Sequence, residues 1–274
     1  MMIIRTLMEN TARFDQLTCE HGLSLYLETG GYRILFDTGA SPAFVDNARR
    51  MDLDLSQIDF VVISHGHYDH GGGLQAFLDL NLEARIFIHP AAFGNYQARS
   101  GDGSLRYIGI DPALRDHRQI VFTGDACNLA PGIRLFSGVP ETVPLPASNR
   151  DLLKESGQEW ADDDFVHEQN LIIEEGDRTF LLTGCAHRGI VNIVRHFHQL
   201  EGRYPDRVIG GFHLAKSDED RESDQVIRQT AEYLLASGAR YLTCHCTGLV
   251  PYQELKRHMG DRIGYLAAGD ILEL

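Results

Sequence analysis

A chain of 274 residues with formal net charge −14, 43% hydrophobic and 23% charged residues, has an ordinary globular composition and enough length to bury a sizeable core. The acidic balance excludes a nucleic-acid grip built on a broad basic surface, but not a small anionic substrate, because bound cations can reverse a local field. No apolar run is long enough to span a membrane, charge arrives too early in Met1 to Glu9 for a signal peptide, and the odd count of five cysteines favours a reducing cytoplasm over a disulfide framework.

The opening reads as strands: Ile3 to Met8, then Leu23 to Glu28, a Gly30-Gly31 turn, and Tyr32 to Phe36. Asp37 closes that last strand, where its carboxylate can either fix an imidazole's orientation or cap a helix over Pro42 to Arg50. The apolar run Asp59 to Ile63 is a buried strand, and it leads into Ser64-His65-Gly66-His67-Tyr68-Asp69-His70-Gly71-Gly72-Gly73. His65 and His67 are spaced to face one cation, and Asp69 and His70 follow on a bend where they can face a second. Imidazole combined with carboxylate suits Zn, Fe or Mn better than Ca or Mg. The glycines are expected to let the backbone turn tightly and approach the metals. The bland alternative is a solvated histidine-rich turn.

A helix from about Leu74 to Leu80 and a strand over Ala84 to Ile88 come next, ending at His89, which reads as structural. Residues from about 91 to 164 carry little periodicity, with strands expected only at Gln119 to Phe122 and Ile133 to Phe136. They are expected to form a lid-like insertion that roofs the site, a packed insertion being the alternative. Regularity returns with a hairpin, Asn170 to Glu174 and Thr179 to Leu182, that runs into Thr183-Gly184-Cys185-Ala186-His187-Arg188-Gly189. Helices are expected at Ile190 to Leu200, Ser223 to Ser237 and Pro251 to Met259, and a solvated charged link at Asp218 to Asp220. A strand at Arg207 to Ile209 runs into Gly210-Gly211-Phe212-His213-Leu214, and one at Tyr241 to Thr243 into Cys244-His245-Cys246-Thr247-Gly248. Short strands near Ile263 to Leu266 and Asp270 to Leu274 close the chain. If both sheets present their carboxyl ends on one edge, His187, His213 and His245 converge on the His65 to His70 turn.

The H-x-H-x-D-H run after a buried strand, with Phe36-Asp37-Thr38-Gly39 upstream, resembles the metallo-β-lactamase superfamily of metal-dependent hydrolases. The Gly-Cys-Ala-His, Gly-Gly-Phe-His-Leu and Cys-His-Cys-Thr-Gly stretches are similar to the branch often labelled 7,8-dihydropterin-6-methyl-4-(β-D-ribofuranosyl)aminobenzene-5'-phosphate synthase-like. Periodicity alone supports an α/β fold with about two layers of sheet; the resemblance implies a four-layer αββα sandwich, here as a single domain over 1–274. It further implies two divalent metal ions, zinc first and Fe or Mn as alternatives, held by His65, His67, Asp69, His70, His187 and His245. Asp37 would stand behind the ligands. Many members place a bridging aspartate after the glycine where this chain has Cys185 after Gly184. Cys185 is therefore expected behind the metals too, with a bridging thiolate and simple packing as alternatives.

Asp69 would also orient the attacking water and His213 would protonate the leaving group. Arg188 and Lys216 follow ligand-bearing turns closely and are expected to anchor a substrate phosphate. Cys244 and Cys246 should point away from His245. His167 is not expected to ligate, and His196, His198 and His258, on helices, should be solvated. The resulting expectation is a hydrolase that uses a metal-activated water on a small, phosphorylated or ester-type substrate. The alternatives are the synthase-type transfer itself and a metal-binding sensor with little turnover. No membrane partner is expected, and a homo-oligomer stays open.

Overall fold

Side-chain alternation along the strands decides the layers. In the computed structural model, which describes residues 1–217 and 220–274, Phe60 and Val62 face one core while Val61 and Ile63, between and beyond them, face another. Phe180 and Leu182 likewise face the first of these cores, and Leu181 a third. Strands buried on both faces in this way need covering layers on both sides.

Numbered in chain order, the first sheet runs β18 (Ile271–Glu273), β1 (Ile3–Met8), β2 (Ser24–Thr29), β3 (Tyr32–Phe36), β4 (Phe60–Ile63), β5 (Arg85–Ile88) and β8 (Ile120–Phe122). The second runs β17 (Ile263–Tyr265), β16 (Arg240–Thr243), β15 (Arg207–Gly210), β14 (Arg178–Leu182), β13 (Asn170–Glu175), β10 (Ile133–Phe136) and β9 (Ala126–Ala130). Each sheet is antiparallel where hairpins build it and parallel where crossovers do: β3, β4, β5 and β8 run together, as do β14 to β17. The inner faces meet in a core that includes Leu25, Phe36, Val62, Phe87, Leu171, Phe180 and Ile209.

Helices close both outer faces. Phe44 of α1 (Ala43–Arg50) and Phe77 of α3 (Leu74–Leu78) pack on Leu35, Val61 and Ile63. Val194 and Phe197 of α4 (Ile190–Glu201), Ile227 and Leu234 of α5 (Asp224–Ala236) and Leu255 of α6 (Leu249–Met259) pack on Leu181, Val208 and Tyr241. This is the four-layer αββα sandwich. No helix among the described residues is long and apolar enough to cross a membrane. Of the expected charged link, Asp218 and Glu219 lie outside the described residues.

The stretch 91–164 is not one continuous insertion, though its flanks stand over the strand ends where the lid was expected. Its middle is woven into the main sheets as β8, β9 and β10. Its flanks form a small antiparallel sheet, in the order β12 (Glu159–Asp162), β11 (Leu152–Ser156), β6 (Tyr96–Arg99) and β7 (Leu105–Tyr107). All three residues of β7 are exposed, so no alternation of apolar and polar positions marks it in the sequence.

Candidate metal centre

The parallel strands of both sheets end on one edge, and each is followed by a turn bearing a candidate ligand. After β4 the chain enters Ser64 to His67 and then the single turn α2 (Tyr68–Gly71), which carries Asp69 and His70. After β14, β15 and β16 come Cys185 with His187, His213, and His245. Asp37, Ala186, His213 and His245 all adopt left-handed backbone, at φ 61°, 60°, 49° and 52°. Such conformations cost non-glycine residues about 1 kcal/mol or more and cluster where a fold must aim a side chain.

The imidazoles meet nitrogen to nitrogen. His65 Nε2 lies 3.3 Å from His187 Nε2, and His70 Nε2 lies 3.2 Å from His245 Nε2 and 3.1 Å from Cys185 Sγ. Asp69 Oδ2 stands 3.2 Å from His245 Nε2 and 3.8 Å from His70 Nε2. Cys185 belongs both to a cluster with Asp69, His70 and His245 and to one with His65 and His187, the donor atoms in each lying within 4.8 Å of one another.

Partners on the outer side fix which nitrogen faces inward. His70 Nδ1 is 2.6 Å from Asp37 Oδ2, His187 Nδ1 is 2.9 Å from Asn149 Oδ1, and His245 Nδ1 is 2.8 Å from Asn10 Oδ1. Each acceptor draws the N–H to Nδ1 and leaves a lone pair on Nε2. Burial, with neighbouring imidazoles adding to it, holds His65 and His187 well below the ordinary histidine range, and burial pushes His245 down to about 4. For His70 burial acts the same way, but the Asp37 and Asp69 carboxylates overcome it and raise the group. Burial would raise Asp69, and the surrounding histidines override it and hold the carboxyl well below its usual range. Between His65 and His187, both kept neutral, inward lone pairs repel one another at 3.3 Å unless a cation lies between them. The donor set of imidazole, one carboxylate and one sulfur therefore fits borderline divalent metals.

The supporting carboxylates come from distant segments. Asp37 also accepts from Ser64 N at 2.7 Å and from Ser64 Oγ at 2.8 Å. Glu9 accepts from His245 N, and Glu168 from His187 N at 2.6 Å and Arg188 N at 2.9 Å. Burial raises Glu168 to about 7 against the pull of those two amides. Asp163 faces His67 Nε2 at 3.7 Å and His167 Nε2 at 3.1 Å, while His167 Nδ1 accepts from Gly66 N at 2.9 Å. Asp163, Asn10, Asn149, Glu9 and Glu168 have no local signature that the sequence could have offered as site residues. His21, 3.3 Å from Asp69 Oδ2, is another such residue.

His65, His67, Asp69, His70, His187 and His245 are thus brought together, with Asp37 behind them. Cys185 stands among the ligand atoms rather than behind them. His213 is buried at the same cavity, its ring 4.1 Å from that of His187 and both its nitrogens without a partner. Arg188 is not brought to the pocket: its Nε and Nη1 donate to the carbonyls of Val139 and Asp164, both at 3.0 Å, which orients it along the loops. Lys216 does reach the pocket mouth, where it pairs with Asp151 at 2.6 Å.

Cys246 departs from its expected orientation, because residues 245–247 form a 3₁₀ turn instead of continuing extended; its thiol faces the Cys185 carbonyl at 3.4 Å. Cys244 packs in the inter-sheet core as expected. Helix residue His258 is exposed, whereas His196 is half-buried against Phe136. Close packing requires glycine in the turn: a Cβ on Gly73 would lie 2.2 Å from the Thr38 carbonyl and one on Gly66 2.4 Å from that of Ala92.

A family model described as the metallo-beta-lactamase superfamily matches residues 17–223. The crystal structure of Tm1679, a metal-dependent hydrolase of the beta-lactamase superfamily, superimposes with a TM-score of 0.85 at 30% identity, covering 100% of this chain and 99% of that one. Two Methanocaldococcus jannaschii proteins are similar over nearly the full length. One, uncharacterized, is 27% identical over 96% of this chain and 100% of its own. The other, 7,8-dihydropterin-6-methyl-4-(beta-D-ribofuranosyl)-aminobenzene-5'-phosphate synthase, is 28% identical over 98% of this chain and 96% of its own.

Proposed function

Because the chain belongs to the metallo-beta-lactamase superfamily, we propose that its strand-end pocket is the active site of a metal-dependent hydrolase acting on a small phosphorylated or ester-type substrate. The observation that carries this reading is the inward convergence of imidazole nitrogens on Cys185 Sγ and Asp69, with the His70, His187 and His245 rings held from outside. His65, His67 and His187 would hold one divalent ion, and Asp69, His70 and His245 a second, zinc being the best match to nitrogen, sulfur and carboxylate donors. When bound, such ions polarise a carbonyl or phosphoryl oxygen and lower the pKa of water toward about 7.

The chain's own residues do the rest. Asp37, Asn149 and Asn10 keep the rings from swinging, and Asp69 enters as a carboxylate that can accept a hydrogen bond from the nucleophile. His213, pushed down to about 3 chiefly by burial, is a neutral imidazole at neutral pH. It offers one N–H to the leaving oxygen as a hydrogen bond instead of standing ready as an acid. The cavity in front of these groups measures ≈ 250 Å³, which suits a small molecule.

A second reading, transfer of the kind named for the synthase relative, is favoured by the similarity to that protein across 98% of this chain. Zinc-loaded protein screened against phosphodiesters, lactones and pterin pyrophosphates, with metal counted by elemental analysis, separates the two. About two equivalents of metal and turnover of a phosphodiester or lactone are the expected result. Turnover confined to pterin pyrophosphates in the presence of a second substrate selects the transferase. Protein that takes up no metal under any loading condition sinks both.

A further inference from the structure

The cavity has two ends of opposite character. Its inner end is the metal centre. Its outer end is lined by Arg99, Arg106 and Lys216, with Asp151 the carboxylate among them. Three cations against one acid is a local reversal in a chain whose net charge is −14, and it occurs at the mouth of the pocket.

The two arginines are held in place by the small sheet, which is bonded directly to the metal-bearing turn. Tyr68 N donates to Ile108 O at 2.8 Å, and His67 pairs with Gly109 in an antiparallel bridge just beyond β7. Arg106, on β7, lies with its guanidinium carbon 5.3 Å from the centroid of the Tyr68 ring, and Nη1 is 3.4 Å from the Tyr68 hydroxyl. A guanidinium stacked on a ring keeps its edge donors available for a planar or tetrahedral anion. Arg99 ends β6, and its backbone N–H donates to Asp151 O at 2.8 Å, which sets it beside the Lys216 pair. Lys216 is half committed to Asp151, so the two arginines carry most of the available charge.

We propose that this outer end is a phosphate-binding subsite, and that the substrate carries a phosphomonoester remote from the bond being broken. Arg106 and Arg99 grip that phosphate, and Lys216 assists when Asp151 releases it. The assignment rests on the hydrolase reading for the inner end only in saying which bond is broken. A phosphate is favoured over a carboxylate because three cationic side chains from separate elements, β6, β7 and the loop after His213, line one cavity mouth, and a dianion matches more of that charge than a monoanion. Arg99 and Arg106 are thereby specificity-determining residues on a segment that holds no candidate metal ligand.

The test measures binding of ribose 5-phosphate and of ribose by calorimetry, on zinc-loaded and on chelator-treated protein. Ribose 5-phosphate is expected to bind at least about tenfold more tightly than ribose in both forms, more weakly as salt rises. Arg99→Ala and Arg106→Ala should each weaken it about tenfold with zinc content unchanged, Lys216→Ala less, and Asp151→Asn should tighten it. If ribose 5-phosphate binding vanishes on chelation, or the arginine variants bind it as the unaltered protein does, the phosphate sits on the metals and the subsite is overturned. Zinc content and turnover of simple phosphodiesters report on the inner end separately. A protein that hydrolyses them but ignores the distal phosphate loses only the subsite. One that holds ribose 5-phosphate through Arg99 and Arg106 yet takes up no zinc loses only the hydrolase.

Discussion

The first sheet delivers His65, His67, Asp69 and His70 from one continuous turn after β4, whereas the second delivers Cys185, His187, His213 and His245 from three separate strand ends. The turn is shaped by local bonds, with Gly71 and His70 donating back to the His67 carbonyl, both at 3.1 Å. The other three positions depend on the parallel register of β14, β15 and β16 and on left-handed residues at Ala186, His213 and His245. One half of the site is a local motif; the other is a product of tertiary structure. Damage to either should therefore look different.

The largest effect is expected where the halves interlock. His70 touches Asp37, Cys185 and His245, so His70→Ala removes a ligand and leaves the fully buried Asp37 without its ring partner. Metal affinity should fall by more than about 100-fold, and metal-free stability by on the order of 3 kcal/mol. His187→Ala strips a ligand but strands no charge, so its metal-free stability should stay closer to that of the parent. Zinc retention in graded metal buffers and urea unfolding of the chelated proteins measure both. Equal destabilisation by the two changes would break the contrast.

Gly184→Ala probes the seam between the sheets. The added Cβ would lie 2.1 Å from Ser64 Oγ, which itself bonds Asp37 and contacts His65 Nδ1 at 2.9 Å. Overpacking there should cost about 1–3 kcal/mol and pull both halves of the metal centre out of register. A thermal midpoint unchanged from the parent would mean the seam is softer than its contacts indicate.

Those two halves also differ in how readable they were. The His65 to His70 turn is legible because four candidate ligands within six residues follow a buried strand, and His187, His213 and His245 because each follows an apolar strand and a glycine or cysteine turn. What could not be read is everything that arrives by packing alone. Asp163 and Asn149 come from a stretch with no periodicity, and β6, β7, β11 and β12 are short and bury only Tyr96 and Leu153, so neither alternation nor apolar runs betray them. Asn10 and Glu9 lie more than two hundred residues from the histidine they support. The four-layer sandwich was legible only through resemblance, since strand and helix order alone leaves the pairing of the two sheets open.

Asp163→Asn sharpens the comparison by testing a residue of that unread stretch against the most readable turn. Asp163 is buried, faces His67 Nε2 at 3.7 Å, and is held well ionised by His167 and His67 against the effect of burial. Without its charge the His67 ring loses orientation, and zinc should bind about 10–100-fold more weakly. The fold should persist, because His167 keeps its bond from Gly66 N. Zinc competition with a chromophoric chelator reads the affinity; a parent-like value would show that the turn positions His67 unaided.

The smallest effect is expected at Arg188, one residue past His187 and, with Lys216, a phosphate anchor expected from the sequence. Its guanidinium is engaged with the Val139 and Asp164 carbonyls, and it does not line the pocket. Arg188→Ala should therefore lower stability by about 1 kcal/mol, through two loops released from the turn that carries His187. It should leave ribose 5-phosphate affinity within about twofold of the parent, well inside the tenfold losses expected at Arg99 and Arg106. A larger loss of ribose 5-phosphate binding would return the phosphate to the His187 turn. That would place anion recognition on the main sheets, and the small sheet would then be no more than cover.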